Sequence, residues 1–178
     1  KGDCNDSSIL NQIGKEHQLA GVIHFAAYKA VGESTQEPLK YYQNNLGSLM
    51  VLLDFMKREG IQDLVFSSSC TVYGQPDVLP VTETTPRKDA ESPYGNTKKV
   101  CEDILVDYVK SKAGVRVISL RYFNPVGAHP SAKIGELPNG VPNNLVPFVT
   151  QTAAGLRNKL TVFGNDYDTS DGSCVRDF

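Results

Sequence analysis

Tyr94 and Lys98 stand four residues apart in the run Pro93-Tyr94-Gly95-Asn96-Thr97-Lys98. On a helix that spacing puts a phenol and an ammonium on one face. A nearby ammonium favours the phenolate and lowers the phenol from its usual pKa of about 10. A tyrosine tuned toward neutral pH can act as general base toward a hydroxyl. More hydroxyls precede it in Ser67-Ser68-Ser69. Spacing alone is a weak signal, because chance supplies about half a Tyr-x-x-x-Lys per chain of this composition. Tyr108 and Lys112 repeat it. At about 1.5 Å per residue, Tyr108 lies roughly 21 Å further along the same helix. Tyr94 is set apart by position, since it opens its helix after Ser92-Pro93.

The elements that must hold these residues follow from patterning. Asp6-Ser7-Ser8 can cap a helix carrying Ile9, Leu10 and Ile13. Gly21 to Phe25 is a short apolar run that suits a buried strand, and 26–36 is small and polar, a predicted loop. Pro38 opens a long helix with Tyr42, Leu46, Leu49, Leu53 and Met56 as one apolar stripe, and Gly60 stops it. Leu64-Val65-Phe66 is a second buried strand, ending in Ser67-Ser68-Ser69. A Pro-containing loop leads to a helix from Tyr94 to about Lys112, with Val100, Ile104, Leu105 and Tyr108 apolar and Gly114 as its stop. Val115 to Tyr122 is a third strand, and 123–142 is rich in Pro and Gly and irregular. Asn143-Asn144 can cap a helix through about Arg157, and Leu160-Thr161-Val162-Phe163 reads as a last short strand. Strands alternating with helices predict an α/β fold, a parallel sheet covered on both faces. Ligands then bind beyond the carboxyl ends of the strands, so 26–36, 67–74 and 122–128 are the segments to inspect.

Composition sets the outer bounds. The 178 residues are 40% hydrophobic and 21% charged with a net charge of −2, which excludes a disordered, collagenous or coiled-coil chain. Near-neutral charge gives no general reason to bind nucleic acid or anionic lipid, and no apolar run approaches the ~20 residues of a membrane span. Cys4, Cys70, Cys101 and Cys174 form no Cys-x-x-Cys pair, and His17, His24 and His129 form no metal-ligand pattern. Cys70 and Cys101 are expected as buried small hydrophobes in a reduced, intracellular protein. The chain opens on Lys1-Gly2-Asp3 and stops at Arg176-Asp177-Phe178, which suggests a piece of a longer protein.

The combined motifs are more specific than any one of them. Phe25-Ala26-Ala27, Ser67-Ser68-Ser69 with Val72-Tyr73-Gly74, Tyr94 to Lys98, and Arg121-Tyr122-Phe123-Asn124 together resemble extended short-chain dehydrogenase/reductases acting on nucleotide sugars. Within that superfamily the chain is similar to the UDP-glucose (UDP-galactose) 4-epimerase family. The features in question are Lys29 to Ser34, Pro142-Asn143-Asn144-Leu145, Phe163 to Tyr167, and Asp171-Gly172 to Val175-Arg176-Asp177. The resemblance runs nearly end to end. Nucleotide-sugar 4,6-dehydratases, a neighbouring activity, carry an Asp-Glu pair where Cys70 and Thr71 stand, so dehydration is not expected. Ala27, Cys70 and Phe178 depart from the epimerase pattern, which more often has Gly, Ala and Tyr there.

What the resemblance implies is NAD-dependent, reversible inversion at C4 of UDP-galactose and UDP-glucose through a 4-keto sugar, in galactose metabolism. Tyr94 would take the 4-hydroxyl proton, Ser69 would bond the 4-oxygen and relay the proton, and Lys98 would hold the nicotinamide ribose and depress the Tyr94 pKa. Asp3, Cys4, Phe25, Ala26, Ala27, Lys29, Asn44, Ser67 and Tyr122 would join Tyr94 and Lys98 along the cofactor. Lys29, Ser69, Tyr94, Asn124, Asn143, Leu145, Phe163 and Arg176 would hold the UDP-sugar. Simpler readings stand beside these: a solvated Lys29, a turn at Asn124 before Pro125, an ion pair of Arg176 with Asp177, serines that merely end a strand.

The implied fold is a partial Rossmann-like, doubly wound parallel sheet lacking its first βαβ unit. Residues 1–125 would be the later part of the NAD-binding domain, and 126–178 the start of a smaller UDP-sugar domain. A dinucleotide fold needs a glycine-rich turn after its first strand, and no two glycines here stand at G-x-G or G-x-x-G spacing. The expected parent is a cytoplasmic homodimer without metal, nucleic acid or membrane partners. The other readings are a non-catalytic fragment or interaction module, or an extended reductase-type enzyme acting on another nucleotide sugar.

Overall fold

The structure, a computed structural model, describes residues 1–111, 114–138 and 140–175. The chain forms two compact units, 1–122 and 123–178.

The first unit holds α1 (Ser7–Glu16), β1 (Val22–His24), α2 (Val31–Gln36), α3 (Pro38–Glu59), β2 (Asp63–Ser69), a 3-10 turn (Cys70–Tyr73), α4 (Pro93–Lys110) and β3 (Arg116–Tyr122). Asp6 caps α1 as expected, its Oδ1 accepting the Ser8 N–H at 2.8 Å. Pro38 starts α3, and Gly60 ends it in the left-handed region at φ 68°, where a side chain would be strained. The sheet order is β1-β2-β3, parallel throughout, with Val22 opposite Leu64 and Leu64 opposite Val117. Its ladder extends through the serines, with Ser68 opposite Arg121 and Ser69 opposite Tyr122. Thus β2 ends in the three serines.

The core lies between one sheet face and α3 and α4. Leu49, Leu52, Leu53, Phe55 and Met56 of α3 meet Leu64 and Phe66 of β2 and Cys101 and Leu105 of α4, with Leu10, Ile61 and Val115 closing it. Cys101 is buried as predicted, whereas Cys70 is half-buried. The α3 stripe differs from expectation. Tyr41, Leu52 and Phe55 are buried, while Tyr42 and Leu46 are only partly so. The reason is that α3 packs against α1, α2 and α4 together, so it buries more than the single stripe of a surface helix. Tyr41 is drawn inward because its hydroxyl finds partners there: it accepts from the Ala30 N–H at 3.1 Å and donates to Glu33 at 2.6 Å.

Three further expectations are corrected. Residues 31–36, read as loop, form α2, a single short helix held by those Tyr41 contacts and by Lys40–Glu33 at 2.7 Å. The sheet is not covered on both faces among the described residues. Ile23 and Ile118, which flank Val65 on one face, are 68% and 61% exposed. Leu160–Phe163 forms no strand, because no ladder partner lies beside it among the described residues.

The second unit contains α5 (Leu145–Ala153), shorter than the helix through Arg157 predicted from its caps. Asn144 occupies the cap position, but its side chain donates to Glu136 at 2.8 Å instead of closing the first turn. The remaining described residues of this unit form turns and irregular backbone. The loop 165–173 is tied by Tyr167 N–H to Gly172 O at 3.2 Å and Thr169 Oγ1 to Ser173 O at 2.7 Å.

Candidate active site

The start of α4 is built to present Tyr94. Ser92 caps it, its Oγ accepting the Gly95 N–H at 3.1 Å, and Pro93 fills the first helical position. Opposite, β2 delivers Ser69 to its carboxyl end, and the chain turns at once into the 3-10 segment. Ser69 Oγ accepts the Thr71 N–H at 3.3 Å, which fixes that turn. Gly95 lets the turn approach the helix: a Cβ there would sit 3.1 Å from the Thr71 Cβ. The Thr71 hydroxyl is buried and makes no hydrogen bond among the described residues. An unsatisfied buried hydroxyl beside Tyr94 and Ser69 is the feature that fits a polar ligand here.

Lys98 lies one turn below Tyr94 and is 4% exposed. Its Nζ donates to Ser67 O at 2.7 Å and sits 5.0 Å from the Phe66 ring centroid. Burial pulls the ammonium pKa down. The Ser67 carbonyl uses one of its three donors, so the group can also serve vicinal ribose hydroxyls. His24, at the end of β1, is buried against Phe66 with ring centroids 6.0 Å apart. Burial and then the Lys98 charge push its pKa down to about 4, so it is neutral at physiological pH.

The expectation that Lys98 depresses the Tyr94 pKa is corrected. Burial raises the phenol above its usual value, the Ser69 hydroxyl draws it down, and the Cys70 thiol adds to the rise. The Lys98 ammonium points to the Ser67 carbonyl and contributes no resolved effect. In this protein alone, Ser69 is the group that favours the phenolate.

The residues predicted along the cofactor are distributed over the first unit. Phe25 follows β1 and is 57% exposed, and its ring meets Tyr122 at the end of β3 with centroids 5.9 Å apart. The two rings span the strand end that carries Ser69. Ala26 and Lys29 are exposed and Ala27 half-buried. Asp3 is exposed, Cys4 and Asn44 half-buried. A hydrogen-bonded chain links this region to α4. Asn5 Nδ2 donates to Asp3 at 3.1 Å and to Asn44 at 3.3 Å. Asn44 donates to Asn45 at 2.9 Å, Asn45 to Thr97 at 3.1 Å, and Thr97 to Tyr94 O at 2.7 Å.

Sequence reading missed Asn45, which is buried and clamps Tyr28 by both backbone groups, at 2.9 and 3.0 Å. The available signal was an Asn within the buried row of α3. Tyr108, the second Tyr-x-x-x-Lys tyrosine, instead bonds Leu53 O at 3.4 Å, and Lys112 lies outside the described residues.

In the second unit Asn124 is half-buried and Asn143 exposed. Leu145, the first residue of α5, and Phe163 are 52% and 93% exposed. Arg176 lies outside the described residues. No helix among those described is long and apolar enough to cross a membrane.

Comparison with known proteins agrees with this geometry. A family model described as GDP-mannose 4,6 dehydratase matches residues 1–178. UDP-glucose 4-epimerase of Erwinia amylovora is 51% identical over all 178 residues, which cover 53% of that protein. UDP-glucose 4-epimerase of Bifidobacterium longum, solved with NAD+ and UDP, superposes with a TM-score of 0.94 at 47% identity, covering 99% of this chain and 53% of that one. The Stenotrophomonas maltophila enzyme, solved with NAD and formylated UDP-arabinopyranose, gives 0.89 at 49% identity, with 99% and 52% covered. The chain spans about half the length of these relatives. Their Rossmann fold is the one that the resemblance implied, and its parallel sheet is what the alternating elements predicted. By the match over its full length, the chain belongs to the GDP-mannose 4,6 dehydratase family, the extended short-chain dehydrogenase/reductases.

Proposed function

We propose that this chain is the catalytic central part of an NAD-dependent UDP-glucose 4-epimerase, which interconverts UDP-galactose and UDP-glucose through a 4-keto sugar in galactose metabolism. The observation that carries this reading is the convergence of Tyr94, Ser69 and Lys98 at the carboxyl end of β2. Similarity near 50% to enzymes of that name supports it.

In this reading Ser69 accepts the sugar 4-hydroxyl proton and passes it to Tyr94. Ser69 Oγ already accepts the Thr71 N–H, which leaves its own proton free to point at the phenol. NAD+, when bound, would supply the hydride acceptor for C4. Lys98 would hold the nicotinamide ribose from its anchor on Ser67 O. Tyr122 would flank the nicotinamide, with Phe25, Ala26, Ala27 and Lys29 along the cofactor, Asn44 near it, and Asp3 and Cys4 by the adenine. Asn124, Asn143, Leu145, Phe163 and Arg176, with Lys29, would hold the UDP-sugar. Arg176 suits a diphosphate because guanidinium binds phosphate oxygens in a fork.

Dehydration is disfavoured by chemistry. Cys70 and Thr71 occupy the turn beside Ser69, and neither supplies the acid and base needed to eliminate water. Residues 1–125 are read as the later part of the NAD-binding domain and 126–178 as the start of the sugar domain. The uncovered sheet face with Ile23 and Ile118 suits a remainder of the Rossmann fold supplied by preceding sequence. The parent is read as a cytoplasmic homodimer, and exposed Leu39 and Met50 on α3 with Val106 and Val109 on α4 offer a surface for it. The test is conversion of UDP-galactose by the full-length protein. Appearance of UDP-glucose is expected; dehydration of a nucleotide sugar in its place would overturn the reading.

A further inference from the structure

We propose that Glu102 is a positioning residue for this site, the clamp that fixes the catalytic face of α4 against the carboxyl ends of β2 and β3. The proposal rests on the epimerase reading given above and extends it to a residue outside the reacting groups.

Tyr94, Lys98 and Glu102 follow one another at intervals of four, so they share one face of α4 on three successive turns. Each turn engages one serine of β2. Tyr94 meets Ser69, Lys98 donates to the Ser67 carbonyl at 2.7 Å, and Glu102 Oε1 accepts the Ser68 hydroxyl at 2.6 Å. The third contact alone reaches a second strand. Arg121 of β3 grips Glu102 with a two-point fork, Nε to Oε1 at 2.9 Å and Nη2 to Oε2 at 2.8 Å. Ser68 and Arg121 are opposite one another in the ladder, and the next rung is Ser69 and Tyr122. Glu102 therefore ties together the rung directly beneath the one that faces the ligand.

The clamp is buried and stiff. Glu102 is 5% exposed and Ser68 2%. The Arg121 guanidinium is held from its other side by the Tyr73 ring at 4.9 Å, in the turn that follows Ser69. Arg87 adds a longer contact to Oε2 at 3.3 Å and anchors itself on Asp103 at 2.6 Å. Burial by itself would push the Glu102 carboxyl up; the hydrogen bonds from Arg121 and Ser68 and the charges of Arg121 and Arg87 hold it below its usual value. It is a carboxylate whose hydrogen bonds come from Ser68, Arg121 and Arg87. A planar two-point contact fixes orientation as well as distance, and misplacement of a reacting group by about 1 Å can cost about 100-fold in rate.

The experiment uses Glu102→Gln in the full-length protein, which keeps side-chain size and one arm of the fork. Turnover, KM for UDP-galactose, bound NAD content and amide hydrogen exchange are measured against the unaltered protein. The expected result is kcat lowered about 10- to 100-fold with KM and NAD content within about twofold, and faster exchange confined to residues 67–71. Unchanged kcat overturns the proposal. So does a fall in kcat accompanied by loss of NAD in a folded protein, since that marks a general structural role. If Glu102→Gln does not fold, Arg121→Lys, which keeps the charge and loses the fork, is judged by the same criteria. An unaltered protein that does not interconvert the UDP-hexoses defeats the epimerase reading instead. The exchange measurement then decides the clamp alone: faster exchange at 67–71 supports it, and unchanged exchange overturns it.

Discussion

His24 gives a stability prediction whose size can be worked from its surroundings. The ring, on the last residue of β1, is buried against Phe66, and burial, then the Lys98 charge, bring its pKa from 6.5 to about 4. The folded protein keeps it neutral, while the unfolded chain protonates it below about 6.5. Between the two values the unfolded state binds more protons, so stability falls as pH falls. The loss starts near pH 6.5 and is complete below about pH 4. A gap of about 2.5 between the two pKa values, at about 1.36 kcal/mol each, amounts to about 3 kcal/mol. The assay is urea unfolding of the full-length protein and of His24→Leu at about pH 7 and about pH 4. Carboxylates titrate in both, so the difference between them isolates the histidine. The unaltered protein should lose about 3 kcal/mol relative to the variant across that interval. Adding Lys98→Met removes the second cause and should shrink the loss. A difference that stays constant to within about 0.5 kcal/mol would refute the claim that His24 is buried neutral.

Other expectations follow from the same geometry. Lys98→Met forfeits the bond to Ser67 O at 2.7 Å but also removes a buried charge. Unfolding free energy should change by no more than about 1–2 kcal/mol, while turnover and NAD retention collapse; chemical denaturation and bound-cofactor absorbance read the two separately. Asn45→Leu leaves the Tyr28 N–H and C=O without their partner, while the Thr97 hydroxyl keeps its bond to Tyr94 O. It should cost about 1–3 kcal/mol per buried group left unpaired, visible as a lower urea midpoint. The 178 residues by themselves are expected to purify without stoichiometric NAD, since they hold no glycine-rich phosphate turn; an equimolar dinucleotide in the purified chain would contradict that.

Much of the scaffold was legible because its signals are local. Pro38 and Gly60 bracket α3, Ser92-Pro93 starts α4, and Asp6 caps α1, each through a backbone requirement that one residue type meets. The three strands were visible as short apolar runs. What escaped depends on tertiary partners. α2 is a weak helix by composition and is held by Tyr41, a residue on another element. Asn45 and Glu102 are polar residues on helices that carried no signal in the sequence, yet both are buried because partners distant in sequence satisfy them. The Leu160–Phe163 run has strand composition but no ladder among the described residues.

The site was legible in identity more than in electrostatics. Tyr94 stood out by its position at a helix start, Lys98 by its spacing and Ser69 by the resemblance; in the structure Tyr94 lies by Ser69 and Lys98 bonds the Ser67 carbonyl. The expected direction of the Tyr94 shift was wrong, because a four-residue spacing says nothing about where a lysine points. Lys98 spends its ammonium on the Ser67 carbonyl, and burial then dominates the phenol. The partners of Asn124, Asn143, Leu145 and Phe163 could not be read from spacing, since they lie in a segment dominated by turns.

The central claim is that Tyr94 moves the proton of the sugar 4-hydroxyl. Its most direct test is Tyr94→Phe in the full-length protein, with UDP-galactose turnover and UDP-sugar affinity measured together. The account predicts turnover reduced by at least about 100-fold, with affinity within about twofold. Turnover equal to that of the unaltered protein would contradict it.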